Sequence, residues 1–412
     1  MDINRTRMNY RQADAPTGGS WEQDLVFELG GPAYRLMQRL RIIKGADPSV
    51  ARRSIAFVAI TWLPLLVLTA VEGHALGPTP RSAFLLDFAT YARFFLAVPL
   101  IFAAENVVGP RMRSAALRLM LGGVISPESR SEFAAAVDRV RRRREAYWPE
   151  ILFLLIALAG VWFVSIEQIS GLGTTTWHTT WLNGELRLSG AGLWYKLVAT
   201  PLVQFFALRW MWRLMIWTLF LSEVSRLRLN LLPTHTDMAA GLGFLGTTHV
   251  SIAIFPFAVG CVLSAELAFR AWFEGLNLAA LQSMTPLLIT YLAFVEFVTF
   301  GPLLFFVMPL LRARREALRS YGILVEQHNQ LFHDKWIDGR RPADESPLGN
   351  PDMSSLVDLG SSFTVVRQTS IVPVGKAQLL QVAVLACLPG LPLLLMVLPF
   401  KEVLRLLLQV VV

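Results

Sequence analysis

Apolar residues in this chain are gathered into seven blocks, and no other feature limits its fold so strongly. A helix that crosses a bilayer needs about 20 predominantly apolar residues at ~1.5 Å of rise each. Residues 55–71, 88–108, 151–166, 193–221, 249–268, 286–311 and 377–400 meet or approach that length. The first and third are short, and the fourth is long enough to tilt or to run on past the membrane. Composition agrees. Of 412 residues 54% are hydrophobic and 17% charged, with a mean hydropathy of +0.48, whereas a soluble globular chain carries roughly 25% charge. That balance excludes a water-soluble enzyme, a disordered scaffold and a secreted disulfide protein. The expected fold class is all-α, a polytopic transmembrane helical bundle of about seven spans with short amphipathic cytoplasmic helices.

Lys and Arg set the expected orientation. With the N-terminus inside, the segment before residue 55 and segments 109–150, 222–248 and 312–376 hold 29 of the 38 basic residues, the outer segments hold 5, and 4 lie within the blocks. This bias implies the bacterial inner (cytoplasmic) membrane, a cytoplasmic N-terminus and anionic lipid against the basic face. The pI near 9.9 is therefore no argument for nucleic acid. A homo-oligomer stays open. The first fifty residues are polar and mixed in charge, so no cleavable signal is expected. Pro389, Pro392 and Pro399 interrupt the last block, which makes it the weakest span. Every block but the third carries or abuts a proline: Pro64, Pro99, Pro201, Pro256, Pro302 with Pro309, and Pro389. Broken helices are common where solutes bind at membrane depth, although prolines are frequent in membrane helices generally. The prolines do not align between the two halves, so no inverted repeat is read.

Outside the blocks, residues 1–20 read as a disordered tail and residues 21–54 as an amphipathic cytoplasmic segment, split by Gly30, Gly31 and Pro32. The membrane region 55–311 then holds six spans. Its loop at 109–150 is expected to be helical, opened by Ser126-Pro127-Glu128. Around Asn183-Gly184 an external hairpin is expected at 174–189, leaning on the membrane through its tryptophans. Residues 312–376 form a cytoplasmic helical segment, and 377–412 the last membrane segment and tail. Cys261 and Cys387 lie in apolar blocks without a CxxC and read as small buried hydrophobes.

Two constellations carry chemistry. Gly241-Leu242-Gly243-Phe244-Leu245-Gly246 is a literal GxGxxG, but without a preceding strand or a properly spaced acid it reads as tight turning and close helix packing, not as a nucleotide site. Just before it stand Pro233, Thr234, His235 and Asp237. His235 and Asp237, two apart in an extended turn, are weak candidates for a metal site, with His249, Glu326, His328, His333 and Asp334 as the further ligands it would need. The favoured reading is that Asp237 or Thr234 caps a helix and His235 bonds backbone. The second constellation is charge at membrane depth: Arg209 and Arg213 on one helix face, Glu296 near the middle of the sixth block, and Glu105 and Glu266 nearer the ends. Arg209 is expected to face Glu296 across the bundle and to line an ion or proton path, against a purely structural salt bridge.

The stretch Leu232 to Leu245 resembles a motif of a family of uncharacterised bacterial multi-pass membrane proteins, in which Pro-Thr-His-Pro-Asp leads into Ala-Gly-Gly-Leu-Gly-Phe-Leu. Here Thr236 stands in place of the second proline and Ala240 in place of the first glycine. The likeness extends loosely to the Arg-Trp of the fourth block and to Ser355-Leu356-Val357-Asp358-Leu359-Gly360. The resemblance implies multi-pass topology and no assigned activity. No catalytic or cofactor motif survives in context, so no cofactor is expected. The functional expectation is a channel or transporter for an ion or small solute. The alternatives are a non-catalytic membrane scaffold or envelope-complex subunit, and a membrane-embedded metal-dependent enzyme.

Overall fold

The computed structural model describes residues 25–397, apart from 28–29, 44–48, 78, 80–81, 164–175, 183–184, 275–282, 341 and 343–344. The expected N-terminal tail, the Asn183-Gly184 turn and the chain beyond residue 397 lie outside the described residues. The helices are α1 (Pro32–Arg39), α2 (Val50–Val71), α3 (Phe88–Leu121), α4 (Arg130–Glu145), α5 (Trp148–Phe163), α6 (Gly190–Val224), α7 (Gly243–Phe273), α8 (Thr285–Trp336), α9 (Pro351–Gln368) and α10 (Lys376–Leu393). Among the described residues α2, α3, α6, α7, α8 and α10 are long and apolar enough to cross a membrane, and α5 is apolar but shorter. The fold is an all-α bundle. Strands β1 (Thr179–Leu182) and β2 (Glu185–Leu188) form one antiparallel hairpin.

Several helix starts follow directly from sequence. Ser49, Asp87, Ser189 and Asn350 each accept a backbone N–H of the following turn, as short polar side chains do at N-caps. Ser126 does not. A 3₁₀ turn over Pro127–Ser129 intervenes, α4 begins only at Arg130, and the Ser126 hydroxyl makes no cap bond. As expected, α8 runs well past the apolar block to Trp336 and ends before Gly339, whose φ is 72°.

Five of the six long apolar helices change helical type within their length. The turns are π over Ala92–Ala97 and Tyr195–Ala199, and 3₁₀ over Ser251–Ala253, Gly301–Phe306 and Leu388–Gly390. Proline is the cause, because it offers no N–H to the carbonyl four residues before it. For Pro99, Pro201 and Pro256 those carbonyls belong to Phe95, Leu197 and Ile252, each inside an irregular turn, while Pro302 and Pro389 sit within theirs. Pro64 of α2 and Pro110 of α3, by contrast, are carried in continuous α-helix.

The main core packs the C-terminal part of α3 (Ile101 to Leu119) against Trp210 to Val224 of α6, with α4, α7 and the 3₁₀ turn of α8 around it. A second cluster at the hairpin end gathers Phe57, Leu65, Phe84, Phe94 and Trp177. Three expectations need correction. The N-terminal segment does not simply lie on a surface: Leu25 and Phe27 are fully buried in the main core, and the Phe27 ring stands edge-on to Trp217 at 4.9 Å. Trp177 does not lean on a membrane either. It is buried, donates its indole N–H to Asp87 at 3.0 Å and stacks on His178. Likewise Cys261 is buried but Cys387 is exposed.

Candidate functional site

Arg209 and Arg213 are one turn apart on α6 and point together into the bundle, but the expected pairing of Arg209 with Glu296 is overturned. Both arginines meet Glu105 of α3, at 3.1 and 2.8 Å, and Arg53 of α2 pairs with the same carboxylate. Arg209 also donates Nε to Glu150 Oε1 at 3.0 Å and Nη2 to the Gly30 carbonyl at 3.1 Å. Glu150, at the start of α5, accepts the Ala33 backbone N–H through its second oxygen. Arg53 reaches the Phe102 carbonyl at 3.2 Å and lies over the Phe102 ring. Three arginines and two glutamates thus join α2, α3, α5, α6 and the segment leading into α1, all at the end of the bundle where the basic loops lie. Arg53, Glu105, Arg209 and Arg213 are each under 9% exposed. Buried charge is tolerable only when paired and hydrogen-bonded, and here the charges answer one another. Sequence reasoning missed Arg53 and Glu150 because charges next to helix starts are ordinary. The available signal was that two arginines on one membrane helix face require a buried acid.

Glu296 stands apart. Both of its carboxylate oxygens are out of solvent and have no hydrogen-bond partner among the described residues. It is one turn before the 3₁₀ turn of α8.

The stretch from Leu232 to Gly243 forms a compact loop organised by one side chain. Asp237 accepts the backbone N–H of Ala239 and Gly241 through Oδ1, at 2.9 and 3.1 Å, and that of Gly243 through Oδ2 at 2.8 Å. Burial pushes this carboxyl up, but the three amides, with His235 beside it, outweigh burial and hold it below the usual range. To wrap the carboxylate, Met238 and Ala240 take positive φ of 52° and 54°, and Gly241 takes 93°. Ala240 therefore holds a left-handed conformation that glycine adopts without cost. Asp237 does not stand at the N-cap of α7, which is Leu242 and makes no side-chain cap bond, but it takes the first amide of that helix from a distance, at Gly243.

His235 Nδ1 lies 2.9 Å from Asp237 Oδ1, so the weak metal candidates do come together. No group of three or more His, Cys, Asp or Glu suited to a metal occurs among the described residues. His249 does not join them. It is buried, accepts the Trp217 indole N–H at 3.1 Å through Nε2 and places Nδ1 2.8 Å from the Leu245 carbonyl, which fixes the proton on Nδ1.

The loop is tied to the segment between α9 and α10. Thr369 donates to the Pro233 carbonyl, Ser370 N–H to the Met238 carbonyl at 2.7 Å, and Gln378 to the Thr247 hydroxyl at 3.0 Å. Gly246, the third glycine of the GxGxxG, lies where this segment crosses. A Cβ there would come 2.5 Å from the Pro373 carbonyl oxygen. The glycine serves close backbone approach, as expected. Between these walls and α3 opens a cleft of about 1280 Å³, lined by Arg111, Ser114 and Arg118 from α3, Asp237 to Thr248 from the loop and α7, and Gln368 to Gln381 from the far side.

The fold and these interiors define a polytopic helical membrane protein. Comparison with protein-family models, with curated proteins and with solved structures gives no match.

Proposed function

We propose that this is a multi-pass protein of the bacterial inner membrane, with its N-terminus cytoplasmic, that acts as a channel or transporter for an ion or small solute. The interruption of five of six long apolar helices carries the reading. An irregular turn frees backbone carbonyls and amides at membrane depth, which bilayers tolerate only where protein or a water-lined cavity receives them. Discontinuous helices of this kind build the solute sites of carriers. Glu296 adds to the argument, since a carboxyl beside such a turn that has no partner among the described residues shows no structural use comparable to that of Glu105. Orientation rests on the concentration of 29 of 38 basic residues on one side.

Flux in liposomes containing the purified protein tests the proposal, wild type against Glu296→Gln, with the folded fraction followed by size-exclusion chromatography. Glu296 is the informative site because Arg209 and Glu105 hold helices together and their loss would confuse folding with flux. Solute movement that the substitution reduces in folded protein supports a pathway. No flux under any ion gradient or voltage overturns it in favour of a membrane scaffold.

A further inference from the structure

At the basic end of the bundle one set of arginines is answered by acids. Arg139 and Arg143 share Glu223, Arg141 and Arg142 share Asp138, Arg35 meets Glu145 and Arg228 meets Glu128. The cleft is different. Arg111, Arg118 and Lys376 all line it, and none of them has a carboxylate partner among the described residues. Arg111, Ser114 and Arg118 follow at spacings of three and four, so α3 presents them on one face. Arg118 is held over the Phe244 ring at 4.6 Å, a contact that steadies the guanidinium without neutralising it. The single acid in the described wall, Asp237, has both oxygens turned to backbone amides, so it makes no ion pair with the three cations and leaves the wall net positive. Ser114, Gln368 and Gln381 carry side-chain polar groups with no hydrogen-bond partner among the described residues.

We propose that this cleft binds a phosphate-bearing anion, clasped by Arg111, Arg118 and Lys376, with Ser114, Gln368 and Gln381 completing its hydrogen bonds. Guanidinium groups present planar pairs of N–H donors that match phosphate oxygens, and an ammonium adds a point charge. A concave wall with three cations against one acid concentrates anions far more than scattered surface charge does. The phosphate has two sources, a soluble phosphate compound or the headgroup of an anionic phospholipid reaching in from the bilayer. As a statement about the transported solute the inference rests on the transport reading; as a statement about binding it does not.

Binding is therefore measured directly, by calorimetric titration of the detergent-purified protein with inorganic phosphate, and separately by the phospholipid retained after exchange from mixed phosphatidylglycerol and phosphatidylcholine nanodiscs. Saturable phosphate binding that Arg111→Gln, Arg118→Gln and Lys376→Gln each weaken by about tenfold or more, and that salt weakens in the wild type, establishes a soluble source. Selective retention of phosphatidylglycerol that the same variants abolish, without phosphate binding, establishes the lipid source. All three residues are exposed, so the variants should fold, and their melting temperatures verify it. Absence of both kinds of binding, or variants that bind like wild type, overturns the proposal. Binding that survives while liposomes show no flux refutes transport alone.

Discussion

The two charged regions at the basic end of the bundle use the same residue types to opposite ends. In the buried cluster, Arg53, Arg209 and Arg213 converge on Glu105, and Arg209 is shared with Glu150 and Gly30. In the cleft, Arg111, Arg118 and Lys376 face open space while the nearby Asp237 spends its charge on backbone amides. Charge that is enclosed must be neutralised locally, because desolvation costs more than any loose pairing returns. Charge at the rim of a cavity can be kept for a ligand. The difference separates residues that hold the helices together from residues free to bind.

The largest predicted effect breaks the closed region. Glu105→Ala leaves three buried guanidiniums facing one another, and losing one side of a buried ion pair costs about 3–5 kcal/mol. Thermal unfolding in detergent should show a sharply lowered midpoint and little folded protein, whereas Arg118→Gln should melt like wild type. A Glu105→Ala protein as stable as wild type would mean that the cluster does not pin the helices.

Asp237→Asn acts on the wall of the open region and should cost less, about 1–3 kcal/mol for amides left poorly paired. The pH dependence has a definite sign. Because the folded loop holds this carboxyl below its unfolded value, its contribution is complete above the ordinary carboxylate range and is lost as pH falls through the depressed folded value. Amide hydrogen exchange at Ala239, Gly241 and Gly243, corrected for intrinsic rates, should lose protection on acidification in the wild type. The Asn variant should be poorly protected already at neutral pH.

How far the sequence could be read follows the same division. Periodicity and length made the helices legible, and the prolines foretold where Pro99, Pro201 and Pro256 would disturb them. The loop motif was legible in kind, since Asp237 takes the first amide of α7 and Gly246 admits close packing. Partner choice was not. Arg209 has Glu105, Glu150 and Glu296 as candidates, and only the three-dimensional packing of α3 and α5 on α6 selects the first two. Equally hidden was the burial of Leu25 and Phe27, because a short apolar pattern beside Gly30 and Gly31 reads the same at a membrane surface and in a core. The cleft joins residues 111, 237 and 376, too far apart in sequence for any local signal.

Gly246→Ala tests how tightly the cleft's far wall is seated. The added methyl would meet the Pro373 carbonyl and the Gln378 side chain, both at 2.5 Å. Overpacking of this kind costs about 1–3 kcal/mol, and the crossing segment would have to retreat. Anion affinity at Lys376 should then weaken together with stability, while Gly360→Ala, inside α9 with no atom within 4 Å of the added Cβ, should leave affinity unchanged and raise stability by about 0.5–1 kcal/mol. A Gly246→Ala protein with unaltered melting and binding would show that the 369–378 segment is not a fixed wall.

The smallest expected change is a slight loss of stability. Ala240 sits at φ 54°, where a Cβ crowds the backbone at a cost of about 1 kcal/mol that glycine avoids. Against this, glycine adds freedom to the unfolded chain that folding must remove, a penalty of similar size. The two terms nearly cancel, and the buried Ala240 methyl, at 1% exposure within the main core, adds a packing loss of about 0.8 kcal/mol for one carbon. Ala240→Gly should therefore shift the melting midpoint only slightly, while protection of the Gly241 and Gly243 amides rises because the loop closes without strain. A large fall in stability instead would mean that the methyl, and not the backbone turn, governs this position, and that alanine here is an adaptation of the core rather than a departure the loop merely tolerates.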